Sequence, residues 1–169
     1  MLLKTNQVLE LEILELAQGG EGIAKLDNFI VFVPQGLPGD LVKARVISTK
    51  PTYARALISE IIKPSNIRVK PKCLVTKECG GCQWQELDYQ KQLEFKEKNL
   101  IDNLIRIGEI PLEDIEKAKN PIIGMDYPYF YRNKSQFPFS QEKDKLKGGF
   151  YAPKSHNIIE FDKCWIQND

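Results

Sequence analysis

The sequence predicts a mainly β chain with some α structure: a five-stranded barrel at the start, then a smaller α+β region. Two observations carry that expectation. Up to Lys63, short runs of alternating apolar and polar residues recur with glycine, proline, asparagine and aspartate between them, and no helix-period segment interrupts them. Beyond Lys63 the pattern changes to a cysteine cluster, one amphipathic stretch and a return to strand-like segments.

Leu9-Glu10-Leu11-Glu12-Ile13 alternates apolar and acidic residues, as a strand with one buried face does. The cluster Gly19-Gly20-Glu21-Gly22 is a turn in which glycine permits positive φ and close backbone approach. Ile23–Leu26 and Phe29–Val33 flank Asp27-Asn28, a two-residue hairpin connection. A loop from Pro34 to Asp40 opens into Leu41–Val46, where apolar and basic residues alternate from Val42 onward, and Tyr53–Ile58 follows the break at Pro51. Five such strands suggest a small closed barrel of the OB type. A barrel by itself does not define a function.

Pro64-Ser65-Asn66, followed by Arg68, Lys70 and Lys72, reads as a linker, which places the first domain at residues 1–63 and the second at 64–169. Asp88 can cap a helix from Tyr89 to Ile107, with Tyr89, Leu93, Leu100, Leu104 and Ile107 on one face and Gly108 at its C-terminal stop. Glu109–Asn120 reads as a polar connection with a helical turn. Strands are expected at Asn133–Phe139, Gly148–Tyr151 and Asn157–Phe161, with Gln141–Lys145 as a hairpin loop.

The chain has 169 residues, 42% hydrophobic and 28% charged, enough to bury a core without covalent staples. Its net charge of +1 gives no global polycationic field, so an RNA partner requires local basic groups. No apolar run follows a basic start, and the longest apolar run, Phe29–Val33, is too short to span a bilayer. A cytoplasmic protein without membrane contact is expected, as a monomer. Disulfides are uncommon in that compartment, so four cysteines ask for another explanation.

Cys73, Cys79 and Cys82 stand as C-x5-C-x2-C around Gly80-Gly81, and Cys164 lies far downstream. Four thiolates are the usual complement of an iron–sulfur cluster, and glycine amides in such a turn can donate to sulfur. A structural zinc site more often shows two short cysteine knuckles, and Cys164 has no near cysteine partner. The spacing therefore leans towards iron–sulfur and leaves zinc open.

In Tyr129–Phe137 aromatics interleave with Arg132, Asn133, Lys134 and Gln136, which offers stacking faces and phosphate contacts. A half-buried strand with a solvated polar face is the simpler account of that segment, and also of Lys43, Arg45 and Arg55 on the barrel. His156, between Ser155 and Asn157, is expected at the surface.

The Gly19–Ala24 turn and the five-strand pattern resemble a TRAM domain, a small RNA-binding barrel. The C-x5-C-G-G-C arrangement with Gln83, then Tyr131-Arg132-Asn133-Lys134, Gly149-Phe150-Tyr151 and Cys164, resembles the iron–sulfur region of bacterial 23S rRNA (uracil-5-)-methyltransferases. The resemblance covers essentially the whole chain. It implies a [4Fe–4S] cluster on Cys73, Cys79, Cys82 and Cys164, and RNA contacts from Lys43, Arg45, Arg55, Tyr131, Arg132 and Lys134. It favours 23S rRNA as partner, with tRNA also open.

In that family a cysteine thiolate adds to C6 of uracil, and the resulting enolate attacks the methyl group of S-adenosylmethionine. The resemblance assigns this chemistry to a C-terminal Rossmann-like domain. Here there is no glycine-rich cofactor turn, and no cysteine remains once four are ligands. The expectation is therefore a binding and scaffolding fragment with no catalytic residue, inactive alone, S-adenosylmethionine belonging to the absent domain. Two alternatives differ in kind. A free-standing RNA-binding protein with structural zinc would use the same four cysteines. A radical S-adenosylmethionine methylthiotransferase typically carries C-x3-C-x2-C, from which the x5 spacing and the fourth cysteine depart.

Overall fold

The computed structural model describes residues 3–143 and 145–168. Its first part is one curled sheet built from β1 (Val8–Glu12), β2 (Glu15–Leu16), β3 (Gly22–Leu26), β4 (Phe29–Val33), β5 (Leu41–Thr49) and β6 (Tyr53–Lys63). The strand order is β1-β5-β6-β4-β3-β2, with β4 and β6 parallel and every other neighbouring pair antiparallel. The hairpin expected at Asp27-Asn28 forms, Leu26 facing Phe29, with Asp27 at φ 54°.

One strand more than the expected five is present, and the ladder is open rather than closed. The two edges, β1 and β2, are halves of one bent segment, so the chain itself joins them. At the bend Ile13 N–H donates to Asp40 O (2.9 Å) and Leu14 N–H to Ile23 O (2.8 Å). Alternation hides β2 because its phase slips there: Leu11 and Ile13 point inward, Leu14 is exposed, and the next buried residue is Leu16.

The core follows the period of two. Val42, Ala44 and Val46 of β5 are fully buried, while Lys43 and Arg45 between them face water. Val31, Val33, Ala54 and Ala56 complete the interior with Leu11 and Ile13. Small alanines on the long, irregularly registered β5 and β6 let the sheet curl tightly.

Residues 64–70 are tied down rather than a free linker. Asp40, fully buried, accepts N–H bonds from Leu37 (2.7 Å) and Ser65 (2.8 Å), and Arg68 reaches its carboxylate at 2.5 Å. Arg68 also donates to Gln35 O (2.9 Å) and pairs with Glu86, while Val69 N–H bonds to Glu86 O (2.8 Å).

The expected helix is α1 (Tyr89–Arg106), capped by Asp88, whose carboxylate accepts from Lys91 N–H at 3.2 Å. Its stop differs from expectation. Glu109 takes the left-handed conformation (φ 52°), whereas Gly108 does not have positive φ. Leu93 is buried, but Leu100 and Ile107 are 59% and 78% exposed, so only the N-terminal half of the apolar face is covered. The polar connection contains α2 (Leu112–Ala118), which buries Ile115.

The strand expected over Asn133–Phe139 does not form. Arg132 makes an isolated bridge to Gln167, and pairing begins only at β7 (Phe139–Glu142). Pro138 lacks an N–H and cannot extend a ladder backwards. β7 pairs with β8 (Lys145–Gly148) through what was expected to be loop, Glu142 facing Lys145; Asp144 lies outside the described residues. β9 (Phe150–Tyr151) and β10 (Ile158–Ile159) are shorter than the expected strands and form a second small pair. Phe150 and Phe161 stack at 5.4 Å, with Phe137 at 5.0 and 5.8 Å from them.

The Arg68 anchor makes a direct prediction. Arg68→Ala leaves the Asp40 carboxylate buried without its counter-charge, a change that costs about 3–5 kcal/mol. Urea unfolding followed by circular dichroism should show that loss; a midpoint unchanged within error would show that the ion pair is not needed to hold the junction.

Candidate metal centre and nucleic-acid interface

The cysteine loop is held from both sides. Cys79 N–H donates to Val75 O at 2.8 Å, closing a tight turn, and Gly80 N–H donates to Tyr151 O at 2.9 Å, docking the loop on β9. Glycine is required at 80 because a Cβ there would lie 2.7 Å from the Tyr151 carbonyl oxygen. Cys164 arrives on a segment laid beside residues 130–132. Phe130 N–H bonds to Trp165 O (3.0 Å), Arg132 N–H to Ile166 O (2.8 Å) and Asn168 N–H to Arg132 O (2.9 Å).

These two supports bring all four cysteines to the wall of one small cavity of about 20 Å³, which Phe150 and Phe161 also line. None of the four is disulfide-bonded. Gly81 N–H donates to Cys79 Sγ (3.3 Å) and the Gln85 amide to Cys82 Sγ (3.3 Å), while Gln85 Oε1 accepts from Cys73 N–H (3.4 Å). Gln85 thereby links the Cys73 segment to the Cys82 turn, a role the sequence did not disclose. Burial pushes the Cys79 and Cys82 thiols above the usual thiol range, partly offset by the Gly81 and Gln85 donors. Among the described residues, no three His, Cys, Asp or Glu side chains close into a ready set around a single ion.

The basic residues sort by partner. Lys43 meets Glu60 at 2.8 Å, an exposed pair that raises the lysine pKa. Arg55 pairs with Glu21 and lies 5.4 Å over the Phe32 ring, and Arg45 donates to Asn6 at 3.2 Å. Tyr131 and Lys134 are exposed and Arg132 is half-buried, on an irregular segment rather than a strand. Lys72, read from sequence as linker charge, instead sits in an aromatic box. Its ammonium is 4.4 Å from the Tyr129 centroid, 4.7 Å from Tyr127 and 5.2 Å from Trp165, and it donates to Tyr127 Oη at 2.9 Å. His156 is exposed against Tyr151, as expected.

The curled sheet places the first part among small OB-like barrels, and residues 3–58 match the TRAM domain family. Over nearly its whole length the chain is similar to proteins named RNA methyltransferases. One, an uncharacterized RNA methyltransferase of Clostridium acetobutylicum, is 44% identical over 98% of this chain and 36% of its own length. Another, from Synechocystis, is 39% identical over 99% of this chain and 36% of its own length. The chain thus spans about a third of the length of the curated relatives it matches. Among solved structures, the tRNA (uracil-54, C5)-methyltransferase of Pyrococcus abyssi, in complex with S-adenosyl-L-homocysteine, superposes with a TM-score of 0.57. It is 26% identical, and the match covers 95% of this chain and 33% of that one.

Gly80→Ala tests the docking of the cysteine loop. The added Cβ meets backbone rather than a flexible side-chain tip, so the loop must move off β9, with an expected loss of roughly 1–3 kcal/mol. The thermal unfolding midpoint should fall accordingly, and Cys164 should become easier to alkylate in the metal-free chain. Unchanged stability and alkylation would mean the loop adapts without leaving Tyr151.

Proposed function

We propose that this chain is the RNA-binding and iron–sulfur-carrying part of an S-adenosylmethionine-dependent RNA (uracil-C5) methyltransferase. Residues 1–63 serve as the RNA-binding barrel, and residues 64–169 as the domain that carries the cluster. The observation that carries this reading is the convergence of four cysteines, one of them more than 80 residues downstream of the rest, on one cavity beside a TRAM barrel.

The residues fit a [4Fe–4S] cluster. Cys73, Cys79, Cys82 and Cys164 would hold it, with amide donors already placed at two sulfurs and aromatic rings closing the wall. A single zinc needs four ligands about 2.0–2.3 Å from one point. Cluster ligation gives each thiolate its own iron, and all four cysteines line one cavity here. Bound there, the cluster supplies a covalent cross-link among three chain segments and a redox-active group.

RNA contacts are assigned to Lys43, Arg45, Arg55, Tyr131, Arg132 and Lys134. The resemblance to bacterial 23S rRNA methyltransferases favours 23S rRNA, and the similar Pyrococcus abyssi enzyme is named for tRNA, so both substrates belong in the test. Anaerobically purified protein should contain about four irons per chain and absorb in the visible, and Cys164→Ser should lose most of both. Zinc content without visible absorption would overturn the cluster assignment.

Binding to 23S rRNA fragments and to tRNA should weaken as salt rises. Arg132→Ala/Lys134→Ala should flatten the slope of log affinity against log salt by about 0.7–0.9 for each phosphate no longer neutralised. A mutant with unchanged affinity and slope would remove these two residues from the interface.

A further inference from the structure

A second, much larger cavity lies between the barrel and the cysteine loop. It has a volume of about 810 Å³, and its walls include the turn at Gly19-Gly20, Trp84, the start of α1, and Tyr129, Tyr131 and Arg132. Its size lies within the range of about 300–1,000 Å³ typical of small-ligand clefts. The wall is composite: Trp84 Nε1 donates to Gly20 O at 3.2 Å, and a Cβ on Gly20 would lie 2.7 Å from that indole nitrogen. Only glycine lets the barrel turn approach the indole so closely.

Two cations line the cleft, and they are not held in ion pairs as several others on the chain are. Lys43, Arg55, Arg68, Lys91 and Lys147 all face carboxylates. Lys96 and Arg132 line the cleft, and among the described residues neither has a carboxylate partner. Among the described residues the one acid in the wall is Asp88, which is occupied as the α1 cap. Aromatic faces beside unpaired cations and glutamine amides fit stacked bases with phosphates, whereas a duplex presents its bases already stacked and paired.

We propose that this cleft binds an unpaired nucleotide of an RNA strand, its base against the Trp84, Tyr129 and Tyr131 rings and its phosphate near Lys96 and Arg132. The proposal rests on the RNA-binding reading above and adds a site to it. Cys82 and Gln85 line both this cleft and the cysteine cavity, so one turn would face the nucleotide on one side and the metal on the other.

The test is an anisotropy titration of the full chain with a labelled single-stranded RNA and with a blunt duplex of equal charge. Lys96→Ala and Tyr131→Ala alter side chains that are at least partly exposed, so folding is not at stake. Each should weaken single-strand binding several-fold; loss of one stacked base corresponds to a factor of about 5 to 150. Photocrosslinking of the same RNA carrying 4-thiouridine should yield adducts on peptides containing Trp84 or Tyr131. RNA that binds with neither variant weakened and crosslinks mapping elsewhere overturns the cleft while leaving the RNA reading intact. Equal affinity for the duplex, or competition by uridine monophosphate as effective per mole as the strand, also overturns it. No binding to any RNA would sink both readings together.

Discussion

The buried carboxylate of Asp40 is the point on which the two parts of the chain depend. It sits at the end of the β4–β5 loop, fully withdrawn from water, with backbone N–H groups of Leu37 and Ser65 and the Arg68 guanidinium around it. A charge so placed is tolerable only while those donors stay. Arg68 then carries the constraint onward to Glu86, two residues before the cap of α1. The cysteine loop lies between Arg68 and Glu86, so both its ends are referred to the barrel. Two residues before Glu86, Trp84 then donates to Gly20 O, a second tie between the cysteine turn and the barrel.

Glycine matters here at contacts more than at turns. Gly20 does have positive φ, yet its further role is to let Trp84 lie against the barrel. Gly80 needs no positive φ, but brings its N–H to the Tyr151 carbonyl with no Cβ between. Each joins segments distant in sequence, and each supports one side of the cysteine turn.

Much of this was legible in the sequence, and the failures have physical causes. Strands β1 and β3 to β6 and helix α1 were readable because one face of each is at least partly buried, which imposes a period. The cysteine spacing and the Gly80-Gly81 donors were readable because that chemistry is local, and Gly81 does donate to Cys79 sulfur. Asp40 was missed because a buried acid in a loop has the same letter as a solvated one; only Arg68, 28 residues later, makes sense of it. Lys72 was read as linker charge for the same reason, since its aromatic box is assembled from Tyr127, Tyr129 and Trp165. The strand expected at Asn133–Phe139 failed because Pro138 interrupts the ladder, and Phe137 packs into a ring cluster with Phe150 and Phe161.

Net charge misleads for a related reason. A value of +1 suggests indifference to polyanions, but it averages over cations in very different states. On the barrel strands, Lys43 and Arg55 are answered by carboxylates, so a phosphate there must compete with Glu60 and Glu21. Lys72 lies over aromatic rings, where its charge organises the approach of the Cys164 segment. Of the cations left without acid partners among the described residues, two border a cleft with aromatic walls. On the reading proposed above, such a surface would hold RNA through local geometry more than through a long-range field. Contacts to unpaired bases can therefore set where the strand binds, while phosphate contacts set how steeply binding falls with salt.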